Sequence, residues 1–389
     1  METFNFNSLN LKKIKKVIDV GCGNGRHLKS LGFKLTDAEI IGIDQSVLEI
    51  TKLNEEFSDS SCKNHNIYSF INGDIRNRND WQKAIDNSNV IIHLAAETGT
   101  GQSMYQIEKY VQVNCGGTAT LLDILANEKH NVHKIVVASS RAIYGEGKYY
   151  CDSHGEVYPN EREALQMSKR QFEPLCSICK QPLSMLATDE DSKINPSSIY
   201  GITKNNQEQM ILTACNSLGI SAIALRYQNV YGPGQSLSNP YTGILSIFST
   251  RILNNNPVIL FEDGLESRDF IFIDDVVNAT VLAVQDNKIK SCSLNVGSGV
   301  STSVQMVADY LKKLYKSDVD INVSGNYRLG DIRHNKADIS KIKKLLGFSP
   351  KVSFECGLKQ FVDWVKKQEV NNDNYEQSIN EMIDKGLMK

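Results

Sequence analysis

No apolar run in this sequence approaches the roughly 18 residues that a membrane-crossing helix needs, so no such helix is expected. The first residues, METFNFNSLNLKKIKK, have no hydrophobic stretch before the lysines and give no reason to expect a signal peptide. Charge of one sign is lacking too. Forty-three basic and 45 acidic side chains leave a net charge of −2, which offers nothing to a nucleic acid or a membrane surface. Nine cysteines are an odd number for a disulfide framework, and 389 residues do not need one. A reducing cytoplasm is the expected setting. No internal repeat is visible. The 41% apolar and 23% charged residues are those of an ordinary folded chain, long enough for a large domain carrying a smaller one.

Short apolar segments alternate with helical ones over the first two-thirds. Val17–Val20, Ile40–Asp44, Tyr68–Ile71, Val90–Ala95, Ile135–Ser139 and Ala222–Arg226 are expected strands. Trp81–Asp86, Ile107–Glu128 and Tyr200–Leu218 are expected helices. Strands apolar at nearly every position are buried on both faces, which predicts an α/β fold with a doubly wound parallel sheet. The texture changes after Arg226, where a smaller substrate lobe is expected. The expected division is 1–228 for the nucleotide-binding domain, 229–368 for most of the lobe with segments returning to the first domain, and 369–389 for a polar tail. Ala337–Gly347 predicts a short helix closed by Gly347. Residues 148–191 show neither period and read as an insertion.

Three motifs carry chemistry. Strand Val17–Val20 runs into Gly21-Cys22-Gly23-Asn24-Gly25, and Asp44 ends the next strand twenty-three residues after Gly21. Such a turn lets a ligand approach the backbone, and the later acid can take ribose hydroxyls. Asp44 disfavours a 2′-phosphate, so NAD is preferred to NADP. Taken alone, the same turn also resembles the first motif of S-adenosylmethionine-dependent methyltransferases.

The second motif joins Ser139-Ser140 at a strand end to Tyr200-Gly201-Ile202-Thr203-Lys204. Tyr and Lys four apart share a helix face. A phenol of ordinary pKa near ~10 becomes a usable base near neutrality beside a cation, and a serine hydroxyl can bond the same substrate oxygen. The third motif is Cys151-Asp152-Ser153-His154 with Cys176-Ser177-Ile178-Cys179. Three sulfurs and one imidazole at this spacing predict a structural zinc that holds the insertion.

The order glycine turn, Gly73-Asp74-Ile75, Leu94-Ala95-Ala96, Ser140, Tyr200 and Lys204 resembles the extended short-chain dehydrogenase/reductase family, the nucleotide-sugar epimerases and dehydratases. The resemblance covers about residues 14 to 368. It implies a Rossmann domain, NAD as cofactor, a nucleotide sugar as substrate and a homodimer. It makes Ser140, Tyr200 and Lys204 catalytic. Asp74 and Ile75 would meet the adenine, and Leu94, Ala95 and Ala96 would form the loop under the cofactor. Tyr227 would neighbour the nicotinamide and Asn229 the diphosphate. Arg268 and Arg333 offer guanidinium groups suited to phosphate, and with Ser140, Arg141 and Asn229 they complete the expected substrate set. One departure stands out: the family's usual Gly-x-x-Gly-x-x-Gly is shortened here to Gly21-x-Gly23-x-Gly25.

The runs Gln102–Tyr105, Arg141–Gly145 and Leu237–Gly243, with the cysteine pairs, narrow the resemblance to the subgroup that epimerises dTDP-L-rhamnose at C4. A 4,6-dehydratase would carry Asp-Glu where Arg141-Ala142 stand. A one-way 4-ketoreductase, a 4-epimerase of another nucleotide sugar, a methyltransferase and a silent scaffold are the other readings of these residues.

Overall fold

The computed structural model describes residues 14–23, 26–35, 38–57, 66–237, 239, 243–369 and 373–389. Seven strands form one parallel sheet: β1 Lys16–Val20, β2 Glu39–Asp44, β3 Ile67–Asn72, β4 Val90–His93, β5 Lys134–Ser140, β6 Ser221–Tyr227 and β7 Ser291–Val296. Their order across the sheet is β7-β6-β5-β4-β1-β2-β3. The order reverses between β1 and β4, the crevice where α/β sheets bind ligands.

Alternate residues of each strand face opposite layers. Val17, Ile92 and Val136 meet helices Arg26–Lys34 and Ile273–Gln285 on one face. Ile18, Ile91 and Val137 meet helices Arg78–Ile85, Gly117–Asn127 and Ile199–Leu218 on the other. Both faces are therefore apolar, as the uninterrupted strand composition requires.

The expected helix Ile107–Glu128 is divided. Ile107–Tyr110 leads into a π-helical turn, Val111–Gly116, before Gly117–Asn127 continues. Widened turns of this kind re-aim side chains. Here Asn114 accepts from Glu97 N at 2.7 Å and donates to Thr203 Oγ1 at 2.9 Å, fixing the loop after β4 to the helix that carries Tyr200.

The lobe contains a three-stranded sheet of Asn229–Tyr231, Ser267–Phe272 and Ser301–Ser303. Helices Ile244–Leu253, Val304–Tyr315 and Phe354–Val365 surround its core of Phe248, Phe270, Leu311 and Phe361. Helix Ser340–Leu346 ends at Gly347 in the left-handed conformation, φ 65°, as the sequence predicts. The segment expected as a polar tail forms helix Tyr375–Asp384, which buries Tyr375, Ser378 and Met382.

The insertion is a small antiparallel sheet of Tyr149–Cys151, Gly155–Val157 and Ser184–Met185 over a core of only Tyr149, Cys151, Cys176 and Leu183. Ion pairs bind it to the lobe. Buried Arg162 meets Glu146 at 3.2 Å and Glu262 at 2.8 Å, and Arg333 meets Glu173 at 2.6 Å. No helix among the described residues is long and apolar enough to cross a membrane.

Candidate active site

β5 delivers Ser140 to the carboxyl end of the sheet. Ser140 Oγ caps the turn Arg141–Tyr144 by accepting from Ala142 N at 3.1 Å. The chain leaves for the insertion and returns at Ser198, which caps the helix Ile199–Leu218 through Gly201 N at 3.1 Å. Gly201 lets that helix start lie against the Ser140 turn: a β-carbon there would stand 2.6 Å from Ala142 O. Tyr200 and Ser140 thereby line the same cavity despite the excursion between them. Burial pushes the Tyr200 phenol up, and the Ser140 hydroxyl and the Arg141 charge pull it back.

Lys204, one turn on, is buried and donates from Nζ to Gln207 Oε1 at 2.7 Å. Burial draws its ammonium down to about 7, opposed by Glu208. Gln207 passes the contact on to Thr118 Oγ1 at 3.0 Å. Glu208 accepts from Ser139 Oγ at 2.5 Å and from Arg226 Nη2 at 2.6 Å, and Arg226 reaches Tyr144 OH at 2.7 Å. This network locks β5, β6 and the helix beneath the Ser140–Tyr200 pair. The sequence assigns the helping cation to Lys204, whose Nζ here meets Gln207; Arg141 is a second cation whose charge favours the phenolate of Tyr200.

The pair opens into a cavity of about 560 Å³ between the sheet and the lobe. Leu94, Ala96, Ser140, Arg141, Tyr200, Lys204, Tyr227, Asn229 and Arg268 all line it. Arg268 also donates to Asp331 at 3.1 Å and to Ile332 O at 2.8 Å. Arg333 does not reach the cavity and is a correction. It is buried, and its guanidinium is taken by Glu173, Glu262 and Asp263 at 2.6 to 3.0 Å, leaving no donors for phosphate. Sequence reasoning missed Glu266, Arg328 and Asp331, and also Tyr375, Ser378, Ile379 and Met382 from the C-terminal helix. The last four stand at helical spacing on one face, a signal present in the sequence.

At the other end of the crevice, Gly21 has φ +79°. A β-carbon there would lie 2.7 Å from Ala95 N, so the glycine lets the turn close on the β4 loop. Gly23 N donates to Asp44 Oδ2 at 2.9 Å, and Ser46 N to Oδ1 at 2.8 Å. Gly25 lies outside the described residues. Gly73 N donates to Asp44 O at 3.1 Å, which sets Asp74 and Ile75 beside that strand end. Asp74 pairs with Arg76 at 2.5 Å, and Ile75 packs on Gly117. A narrow glycine turn and a carboxylate at the end of β2 fit the adenosine end of a dinucleotide, and Leu94 and Ala96 of the β4 loop, which the turn packs against, line the cavity of Tyr200. Asp19, two residues before Gly21, is an unusual neighbour. It is fully buried, and neither carboxylate oxygen has a hydrogen-bond partner among the described residues. Burial and the nearby Asp44 push it up to about 8.

In the insertion, Cys151, His154, Cys176 and Cys179 converge. Their ligand atoms all lie within 4.8 Å of one another. Cys151 Sγ is 3.4 Å from His154 Nδ1 and 3.6 Å from Cys179 Sγ, and Cys176 Sγ is 3.6 Å from His154 Nδ1. Tetrahedral zinc with bonds of about 2.3 Å to sulfur would space its ligands by about 3.7 Å.

Known proteins agree with this geometry. Residues 35–185 and 179–297 match the sequence model of the NAD dependent epimerase/dehydratase family. A dTDP-L-rhamnose 4-epimerase of Burkholderia thailandensis is 34% identical over 307 residues, 78% of this chain and 83% of that protein. A putative UDP-glucose 4-epimerase of Methanocaldococcus jannaschii is 30% identical over 76% of this chain and 84% of its own. Among solved structures, the UDP-glucuronic acid 4-epimerase of Bacillus cereus in complex with UDP-glucuronic acid and NAD superposes with a TM-score of 0.70 at 26% identity, covering 90% of this chain and 99% of that one. Fold and site thus define a Rossmann-like α/β protein whose cleft is lined by Ser140, Tyr200 and Lys204. The chain belongs to the NAD-dependent epimerase/dehydratase family, among its nucleotide-sugar epimerases.

Proposed function

We propose that the protein interconverts C4 epimers of a nucleotide-linked 6-deoxyhexose, dTDP-L-rhamnose and dTDP-6-deoxy-L-talose, through a transient 4-keto sugar. The observation that carries this reading is the convergence of Ser140, Arg141, Tyr200 and Lys204 at one wall of a single cavity. The likeness to the Burkholderia 4-epimerase supports the choice of sugar. NAD would be held by Gly21, Gly23 and Asp44 at the ribose end and by Leu94, Ala96, Lys204 and Tyr227 toward the reacting end; when bound it accepts a hydride from C4 and returns it.

Tyr200 takes the proton of the 4-hydroxyl as hydride leaves, and later gives it back. Ser140 bonds the same oxygen and fixes its distance from the phenol. Arg141 stabilises the phenolate. Asn229 and Arg268 grip the diphosphate, so the sugar can turn over while its handle stays fixed.

Because hydride returns to the sugar, the wild type should convert dTDP-L-rhamnose to a mixture of epimers with no added cofactor and no rise at the reduced-nicotinamide band. Tyr200→Phe should keep NAD and fold while losing roughly 10²–10⁴ in rate. Product stoichiometric with added NADH would point to a one-way ketoreductase, and bound S-adenosylmethionine without pyridine nucleotide to the methyltransferase reading.

The convergence of Cys151, His154, Cys176 and Cys179 supports a structural zinc there, outside the hydride chemistry. Exposed Ile107 and Val111, next to exposed Ile202 on the helix of Tyr200, support a homodimer through this face.

A further inference from the structure

Among the described residues none of the insertion, 148–191, lines the catalytic cavity, whereas Arg268 and Arg328 do. Both of these cations meet Asp331. Arg268 Nη2 donates to Asp331 Oδ1 at 3.1 Å, and Arg328 Nη2 donates to Oδ2 at 2.9 Å. One carboxylate thus sets two guanidinium groups. Burial works against its charge, but Arg328, Arg268, Arg141 and Arg162 hold it well below the usual carboxylate range. The rest of the Arg268 fork leans on the same loop: Nη2 also donates to Ile332 O at 2.8 Å, and Nη1 to Arg333 O at 2.9 Å. Arg328 keeps a buried Nε with no hydrogen-bond partner among the described residues, a donor left for a ligand. Glu266 lines the same wall, but burial pushes it up to about 7 against the pull of Arg268, so it offsets these cations only in part.

The support of Asp331 is not local. Residues 329–336 form neither helix nor strand, so side-chain bonds must fix them. The Asp331 carbonyl accepts from Arg162 Nη2 at 2.9 Å, and Arg162 belongs to the insertion, between Cys151–His154 and Cys176–Cys179. Two residues on, Arg333 N donates to Glu146 Oε2 at 2.9 Å, and Glu146 Oε1 accepts from Arg162 Nε at 3.2 Å. Arg162 Nη1 donates to Glu262 Oε2 at 2.8 Å and to Phe172 O at 3.1 Å. The buried fork of Arg162 therefore reaches two carboxylates and two carbonyls in fixed directions, which a point-like ammonium cannot do. A chain of bonds runs from the insertion through Asp331 to the two cations of the cavity wall.

We propose that the insertion serves the substrate site, with Arg162 as a positioning residue that holds Asp331 and, through it, sets Arg268 and Arg328 for the substrate's diphosphate. The assignment rests on the epimerase reading given above, which puts the diphosphate at Arg268. The test is calorimetric binding of dTDP to the full, NAD-loaded chain, with melting temperature, bound NAD and dTDP-L-rhamnose kinetics for every variant. Arg162→Lys keeps a cation between Glu146 and Glu262 but cannot also bond the Asp331 and Phe172 carbonyls. It should weaken dTDP about tenfold, the worth of about one charge-assisted hydrogen bond. KM should rise to match, with bound NAD unchanged and kcat little changed. Glu146→Gln alters the same link by one atom, should move dTDP affinity the same way, and carries the test should Arg162→Lys not fold. Arg268→Ala should weaken dTDP further, and the Arg162→Lys cost should shrink in that background, because its target is already gone. Leu183→Ala loosens the insertion's own core away from Asp331, so it should lower the melting temperature and leave dTDP affinity as it was. Unmoved dTDP affinity in the folded Arg162 or Glu146 variant, an equal loss in Leu183→Ala, or costs that multiply in the double variant overturns the Arg162 assignment and leaves the epimerase reading intact. A wild type that binds dTDP no better than Arg268→Ala does overturns the diphosphate assignment itself.

Discussion

In the proposed mechanism Arg141, a neighbour of Tyr200 in space, favours its phenolate, and this has a kinetic consequence. Arg141 pulls the phenol down against the effect of burial. Removing it should leave a weaker acid, so the phenolate forms at higher pH. Arg141→Ala is therefore expected to move the acidic limb of the kcat/KM profile upward in pH, with Arg141→Lys falling between the two. A limb that stays put in Arg141→Ala would show that the guanidinium serves only to bind substrate. Ser140, Tyr200 and Lys204 were legible because their order along the chain is a motif. Arg141 was read as a substrate contact, but its charge on Tyr200 was not, because the two are brought together only by the fold. Arg333 was misread for a physical reason: a guanidinium suits a phosphate and a pair of carboxylates equally well, and only the fold brings Glu173, Glu262 and Asp263 to it. Glycine and aspartate at the cofactor turn were legible by spacing, whereas the isolation of Asp19 was not, because a burial without partners is a property of the packed sheet.

At the scale of elements, the strands were legible because parallel strands covered on both faces have nearly unbroken apolar composition. The division of the helix at Val111–Gly116 was not, since its cause is the distant contact of Asn114 with Thr203. The insertion is the clearest case of chemistry standing in for a core. Six buried apolar side chains, Tyr149, Cys151, Cys176 and Leu183 in one cluster and Met167 and Phe172 in another, are few for some forty residues; the Arg162 and Arg333 ion pairs add to them, and the proposed zinc would add more. Wild-type protein should accordingly carry about one zinc per chain by metal analysis, and Cys176→Ser should lose it and melt earlier. Metal content unchanged in Cys176→Ser would reject the site. The C-terminal helix is only weakly marked in the sequence because its large inward residues, buried Tyr375 and Met382 and half-buried Ile379, lie among many polar ones.

At the scale of the whole molecule, the proposed homodimer would form through the face carrying Ile107 and Val111. These side chains are 48% and 45% exposed, next to the helix of Tyr200. Ile107→Glu with Val111→Glu is expected to turn a dimer into a 43.4 kDa monomer in sedimentation equilibrium. A double variant that sediments as the wild type does would move the interface elsewhere. The path of the chain through its two halves matters for how it is made. β6 is synthesised well before its neighbour β7, and the lobe strands Asn229–Tyr231 and Ser267–Phe272 lie between them in sequence. A nascent chain on the ribosome therefore holds an open edge of hydrogen-bonding groups on its nucleotide half until lobe residues have emerged. The ribosome's pace across residues 228–290, and any chaperone that shields β6 in that interval, should govern how much of the protein escapes edge-to-edge aggregation.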